Sequence, residues 1–205
     1  LAAKHGISTI VAEILAPAPD WLFKEYPHAR VEDAKGNRAA SSYRAACAVG
    51  GMPGLCFDNP EVFKHADDFL RALYERYKDH PGLGGYDIWN EQNTNGSAGG
   101  CWCAASAVKF RKWLEAKYEG DLDKLARAWN RYSYRNWDDI QIPRHQGFYG
   151  DELDWRLFRI DNAYGYFKWR ADLIREIDPV HPVTAHMNSR KTLKQVGPDT
   201  YQIFR

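Results

Sequence analysis

The sequence predicts an α/β fold, a partial TIM or (β/α)8 barrel, and three observations carry that expectation. Short apolar strands alternate with long amphipathic helices. No Gly-x-Gly-x-x-Gly follows any strand, so the usual sign of a dinucleotide-binding sheet is missing. Polar side chains gather just past strand ends, Asn90 with Glu91 after one and His186 with Asn188 after another, which is where a barrel keeps its functional groups. Strand–helix alternation alone also permits a doubly wound sheet. The last two observations favour the barrel.

In chain order, residues 7–12 form an apolar, β-branched run that predicts a buried strand. Pro17-Ala18-Pro19 then forces a loop. Residues 28–57, rich in Gly, Ala and Ser with little periodicity, read as a long excursion of the kind that serves function. Asp58-Asn59-Pro60 predicts a helix start, with a capping side chain and proline in the first turn. Val62, Phe63, Ala66, Phe69, Leu70, Leu73, Tyr74 and Tyr77 follow at helical spacing, and His80-Pro81-Gly82 ends that helix. The next strand is expected at 85–89, with Asn90 and Glu91 just beyond it. Helices are expected at about 104–118, 122–130 and 154–177, a strand at 182–186, and the start of another at 201–204.

Composition narrows the function. A net charge of +1 gives no sign of nucleic acid or a membrane surface as partner, and no apolar run has the length of a membrane span. Aromatic residues make up 14% of the chain, with 8 Trp and 12 Tyr; such rings fill cores and also stack on the apolar faces of sugars. Trp21, Trp89 and Trp102 are the aromatics expected near the mouth of the barrel, with Trp89 read as core. His28, His145 and His181 read as solvated loop residues. The 4 cysteines are Cys47, Cys56, Cys101 and Cys103. Neighbouring extended side chains point apart, so Cys101-x-Cys103 suits metal ligation or free thiols better than a disulfide. Leu1-Ala2-Ala3-Lys4-His5-Gly6 reads as the end of a helix stopped by glycine. Residues 1–205 are therefore expected to be a single incomplete domain, truncated at both ends. Localisation is not encoded in such a start, with the cytoplasm the default expectation.

The sharpest local signal is Tyr86-Asp87-Ile88-Trp89-Asn90-Glu91, an apolar strand that delivers an amide and a carboxyl side by side. A carboxyl group among apolar walls holds its proton to higher pH and can donate it to a departing glycosidic oxygen. The amide can bind a sugar hydroxyl. A helix cap or a surface ion pair is the plainer use of the same two residues.

Four stretches together resemble glycoside hydrolase family 42, the β-galactosidase family. They are Ala16-Pro17-Ala18-Pro19-Asp20-Trp21-Leu22 with Tyr26-Pro27; Cys56-Phe57-Asp58-Asn59-Pro60 ahead of Arg76-Tyr77-Lys78-Asp79-His80-Pro81; Cys101-Trp102-Cys103 shortly after Asn90-Glu91, followed by Phe110-Arg111-Lys112-Trp113-Leu114 and Leu125-Ala126-Arg127-Ala128-Trp129-Asn130; and Asp154-Trp155-Arg156-Leu157-Phe158 with His181-Pro182-Val183-Thr184. The resemblance implies barrel strands three to five and the start of six. It implies a retaining exo-glycosidase of terminal β-D-galactosides with Glu91 as acid/base and Asn90 as a substrate-binding amide; Trp21 near the mouth and His186 at the end of the 182–186 strand are the other candidate sugar contacts. It also implies a carbohydrate substrate, a homotrimer, and no cofactor for catalysis. The family's nucleophile is a Glu on strand seven; no Glu occurs after Glu176 here, so residues 1–205 alone are expected to be inactive.

The resemblance further implies a structural zinc on Cys56, Cys101 and Cys103. The family's fourth cysteine is replaced here by Ser106, and Cys47 is an alternative fourth thiolate. Met52 stands where the family carries an arginine, His186 where it carries asparagine, and Gln92-Asn93 where Tyr-Gly often follows Asn-Glu. Another retaining glycosidase of the same barrel clan, or a carbohydrate-binding relative without catalysis, are the competing readings.

Overall fold

The computed structural model describes residues 1–12, 15, 18–41, 54–88, 100–144 and 149–185. Its centre is a parallel sheet in the order β1 (Thr9–Ala12), β2 (Leu83–Asp87), β3 (Val183–Thr184). The helices are α1 (Asp20–Glu25), α2 (Pro60–Tyr77), α3 (Ala104–Lys117), α4 (Leu122–Trp129) and α5 (Tyr149–Ile177). Both strand pairs are parallel. The alternation and strand direction expected of barrel repeats are thus present.

The central strand carries a local distortion. Thr9 pairs with Leu83 but Ile10 pairs with Gly85, so the register slips by a residue at Gly84. Gly85 takes φ +148, and a Cβ there would lie 2.8 Å from the carbonyl oxygen of Pro182. Only glycine lets β3 approach this closely, through Tyr86 N donating to Pro182 O at 2.9 Å and Ile88 N to Thr184 O at 2.9 Å. These two glycines also explain why β2 begins at Leu83 and not at 85. Strand propensity is weak at Gly84-Gly85, and pairing on both sides overrides it.

The run at 7–12 differs from expectation. The strand starts at Thr9, and it is exposed where a buried strand was expected, with Ile10 57% and Ile7 58% accessible. Its β-branched residues suit a strand enclosed on both faces, but among the described residues β1 has one strand neighbour, β2. Gly6 does stop a short 3-10 turn at Ala2–His5 in the left-handed conformation, φ 68. After Pro19 the chain forms α1, a helix not assigned from the sequence, which buries Leu22 and Phe23.

α2 begins with Pro60 and buries Val62, Ala66, Leu70 and Tyr74, a stripe at i, i+4. Its outer face carries Lys64–Asp68 and Asp67–Arg71 pairs. In α4, Asp121 accepts from Lys124 N and Asn130 ends the helix at φ 50. α5 starts at Tyr149, ahead of the expected 154, and serves as the spine. Trp155 and Phe158 pack with Phe110, Leu114 and Leu125. Tyr166 and Phe167 pack with Leu22, Phe57 and Val62. Leu173 and Ile174 pack with Leu70, Tyr74 and Tyr86. One helix thereby enters three apolar clusters, and each large side chain it buries contributes about 1.5–3 kcal/mol.

Two buried carboxylates tie these layers together. Asp178, just past α5, accepts from the hydroxyl of Tyr86 on β2 at 2.7 Å and pairs with His181 Nδ1 at 2.8 Å. His181 is therefore a half-buried partner of the strand turn, not a solvated loop residue. Burial opposes ionisation of Asp178, but the hydrogen bonds from Tyr86, His181 and Val180 outweigh it and hold the carboxyl below its usual range. Asp154 on α5 accepts from Tyr118 Oη at 2.6 Å and Trp129 Nε1 at 2.9 Å, and pairs with Lys117 Nζ. Burial and the bond to Asp154 push the Tyr118 hydroxyl pKa up.

Candidate functional site

The carboxyl ends of the three parallel strands point one way, and the chain leaves β2 through Ile88 toward Asn90 and Glu91. Asn90, Glu91 and His186 lie outside the described residues, as do Trp89, His145, Cys47, Met52 and the 201–204 strand start. Trp21 sits on the first turn of α1, 54% accessible, its ring edge-on to His65 at 5.3 Å. His65 Nε2 is 3.1 Å from Tyr26 Oη, and His28 lies 3.8 Å from Glu61. An exposed indole held by a neighbouring ring can stack on a sugar face. Trp102, the other mouth aromatic, is core instead: it is buried, donates from Nε1 to Pro143 O at 2.8 Å and packs against Trp155. Its indole hydrogen finds a carbonyl inside the protein, which removes the reason to face solvent.

The residues brought closest together are the thiols. Cys56 precedes α2, Cys101 precedes α3, and Cys103 is the residue before α3's first turn. All three are free and buried, and their sulfurs lie within 4.8 Å of one another. One backbone and one side-chain N–H organise them further. Glu32 N donates to Cys101 Sγ at 3.3 Å, and Asn59 Nδ2 reaches Cys103 Sγ at 3.7 Å. Hydrogen bonds from Cys101 and Cys56 pull the Cys103 pKa down, while the shared hydrogen bonds and burial push Cys56 up. Such convergence of buried sulfurs with N–H donors aimed at them is what a thiolate metal site needs.

Asp58 and Asn59 are not used as the sequence suggests. Asn59 precedes α2 but makes no side-chain cap; its amide goes to Cys56 O at 3.2 Å and toward Cys103. Asp58 turns away from the helix. Its Oδ1 accepts from Tyr166 Oη at 2.7 Å, Asn162 Nδ2 at 2.9 Å and Lys109 Nζ at 3.3 Å, and its Oδ2 from Ser106 Oγ at 2.6 Å. Burial, then Asp58, pushes the Tyr166 hydroxyl pKa up. The sequence signal for this role was available only as spacing to α5, a contact 108 residues away.

The parallel strands and the helices between them define the class: part of an α/β barrel. The chain belongs to glycoside hydrolase family 42, whose β-galactosidase model matches residues 1–204. A β-galactosidase of Geobacillus kaustophilus is 30% identical over 197 residues, covering 92% of this chain and 28% of the relative. One from Planococcus sp. strain SOS Orange is 31% identical over 198 residues, covering 90% and 27%. Among solved structures, the β-galactosidase of the haloarchaeon Halorubrum lacusprofundi superimposes with a TM-score of 0.79 at 27% identity, over 98% of this chain and 29% of that one. A catalytic mutant of a family 42 β-galactosidase from G. stearothermophilus gives 0.74 at 31% identity, over 89% and 26%. The chain therefore spans little more than a quarter of the length of these relatives. Among the described residues no helix is long and apolar enough to cross a membrane.

Proposed function

We propose that the full-length protein is a retaining exo-β-galactosidase and that this chain carries the acid/base half of its site, on the third to fifth strands of the barrel and the start of the sixth. The observation that carries the reading is the position of Asn90-Glu91, directly after the central parallel strand of a chain that the family model matches over residues 1–204. Glu91 donates a proton to the leaving oxygen and then takes one from water; Asn90 binds a hydroxyl of the sugar, with Trp21 and His186 at its edges. A retaining site needs two carboxyls about 5–5.5 Å apart, of which Glu91 is one.

Zinc has a structural part in this reading. Cys56, Cys101 and Cys103 are the residues that would hold it, and their burial and mutual approach fit a thiolate-rich site. The bound ion supplies a cross-link between the loop before α2 and the loop before α3. Cys101 and Cys103 follow Glu91 closely in sequence, so that cross-link anchors the far end of the segment that bears the acid.

The reading is tested by offering the full-length protein 4-nitrophenyl β-D-galactoside beside the matching arabinopyranoside and fucoside, and following the first sugar anomer released by proton NMR. The expected product is β-galactose, formed faster than either alternative sugar. α-Galactose as first product contradicts the retaining mechanism, and no hydrolysis of any of the three supports the carbohydrate-binding alternative.

A further inference from the structure

We infer that Ser106 is the fourth donor of the thiolate site, its hydroxyl held in place for a divalent cation by the buried carboxylate of Asp58. The inference rests on the zinc reading above and deepens it.

Ser106 lies in the first turn of α3, fully buried, with Oγ 3.4 Å from Cys56 Sγ and 3.5 Å from Cys103 Sγ. Zinc–sulfur bonds of about 2.3 Å and zinc–oxygen bonds of about 2.1 Å at tetrahedral angles place sulfur and oxygen ligands about 3.6 Å apart. The two observed separations match that edge. The sulfurs supply the remaining vertices within 4.8 Å of one another.

A serine is ordinarily a weak ligand because its hydroxyl is neutral and a poorer donor than thiolate or imidazole, a weakness that lessens when its hydrogen is drawn to a strong acceptor. Here that hydrogen is committed elsewhere. The contact from Ser106 Oγ to Asp58 Oδ2 is 2.6 Å, and the other oxygen of Asp58 accepts from Tyr166, Asn162 and Lys109. A hydroxyl has a single hydrogen, and the short bond to a carboxylate takes it in preference to the longer contacts to sulfur. Toward Cys56 and Cys103 the oxygen therefore presents only lone pairs. This is the arrangement in which an outer carboxylate orients a ligand and raises its basicity. The site so assembled has four donors, three sulfurs and one oxygen, with the Asp58 carboxylate hydrogen-bonded behind that oxygen.

The test is metal binding by the full-length protein, read by zinc content after competition with a chromophoric chelator and by the absorption spectrum of the cobalt(II) form. The wild type is expected to hold a single zinc per chain at this cluster and to give the intense visible bands of four-coordinate cobalt. Ser106→Ala and Asp58→Asn are each expected to weaken zinc by about 10–100-fold and to reduce those bands. Ser106→Cys should bind at least as tightly as the wild type and add sulfur-to-cobalt charge-transfer intensity, which shows that position 106 faces the metal even if the alanine variant folds poorly. Unchanged zinc affinity and cobalt spectra in both Ser106→Ala and Asp58→Asn overturn the inference while leaving zinc in place. So does loss of the bands in Cys47→Ala alone, which would make Cys47 the fourth ligand. A wild-type protein that takes up no zinc or cobalt overturns the zinc reading itself.

Discussion

Glu91→Gln in the full-length protein is expected to lower kcat/KM on alkyl β-galactosides by about 10²–10⁴-fold, the range that general acid catalysis supplies. On a dinitrophenyl β-galactoside the same variant should lose less than about tenfold, because that leaving group departs without a proton. The specificity constant is the right readout, since it reports the step that breaks the glycosidic bond. Gln keeps the volume and polarity of the side chain, so binding is little disturbed and the difference between the two substrates isolates the proton. Equal losses on both would assign Glu91 a role in holding the sugar or the loop, not in acid catalysis.

Asp154→Ala is the change expected to cost the fold most. The carboxylate is buried and receives the Tyr118 hydroxyl, the Trp129 indole and the Lys117 ammonium from two other helices. Removing it strands these donors among Phe110, Leu114, Leu125 and Ile140, and uncompensated buried partners of this kind cost about 3–5 kcal/mol. Amide hydrogen exchange reads this locally. Protected amides of α3, α4 and the start of α5 should exchange about a hundred- to a few thousand-fold faster, at about 1.4 kcal/mol per tenfold. Asp154→Asn keeps an acceptor and should fall between. If exchange in α4 were unchanged in the alanine variant, apolar packing alone would be holding these helices together.

The helices could be read from the sequence because their signals are local. The apolar spacing from Val62 to Tyr77 places α2 close to its observed span, but of that stripe Val62, Ala66, Leu70 and Tyr74 are buried while Phe69 and Tyr77 are exposed. The free, clustered cysteines follow from the Cys-x-Cys spacing and the resemblance. What could not be read depends on distant partners. Gly84-Gly85 hides the start of β2 because its strand character comes from Ser8, Thr9 and Pro182 pressing against it. Asp154 and Asp58 look like members of solvated or capping positions until the helices that cover them are in place. Trp102 and a sugar-stacking tryptophan are the same residue type, and only burial against Trp155 tells them apart. Asp20 after Pro19 was a helix-start signal masked by the two prolines before it.

The central claim, that Glu91 is the acid/base of a retaining β-galactosidase, is tested most directly by azide rescue of Glu91→Ala. In the second half of a retaining reaction the base removes a proton from the attacking water; azide carries no such proton and does not need the base. With dinitrophenyl β-galactoside as donor, added azide should raise turnover of Glu91→Ala strongly, leave the wild type nearly unaffected, and yield β-galactosyl azide by NMR. Formation of α-galactosyl azide, or no acceleration by azide at all, would contradict the assignment.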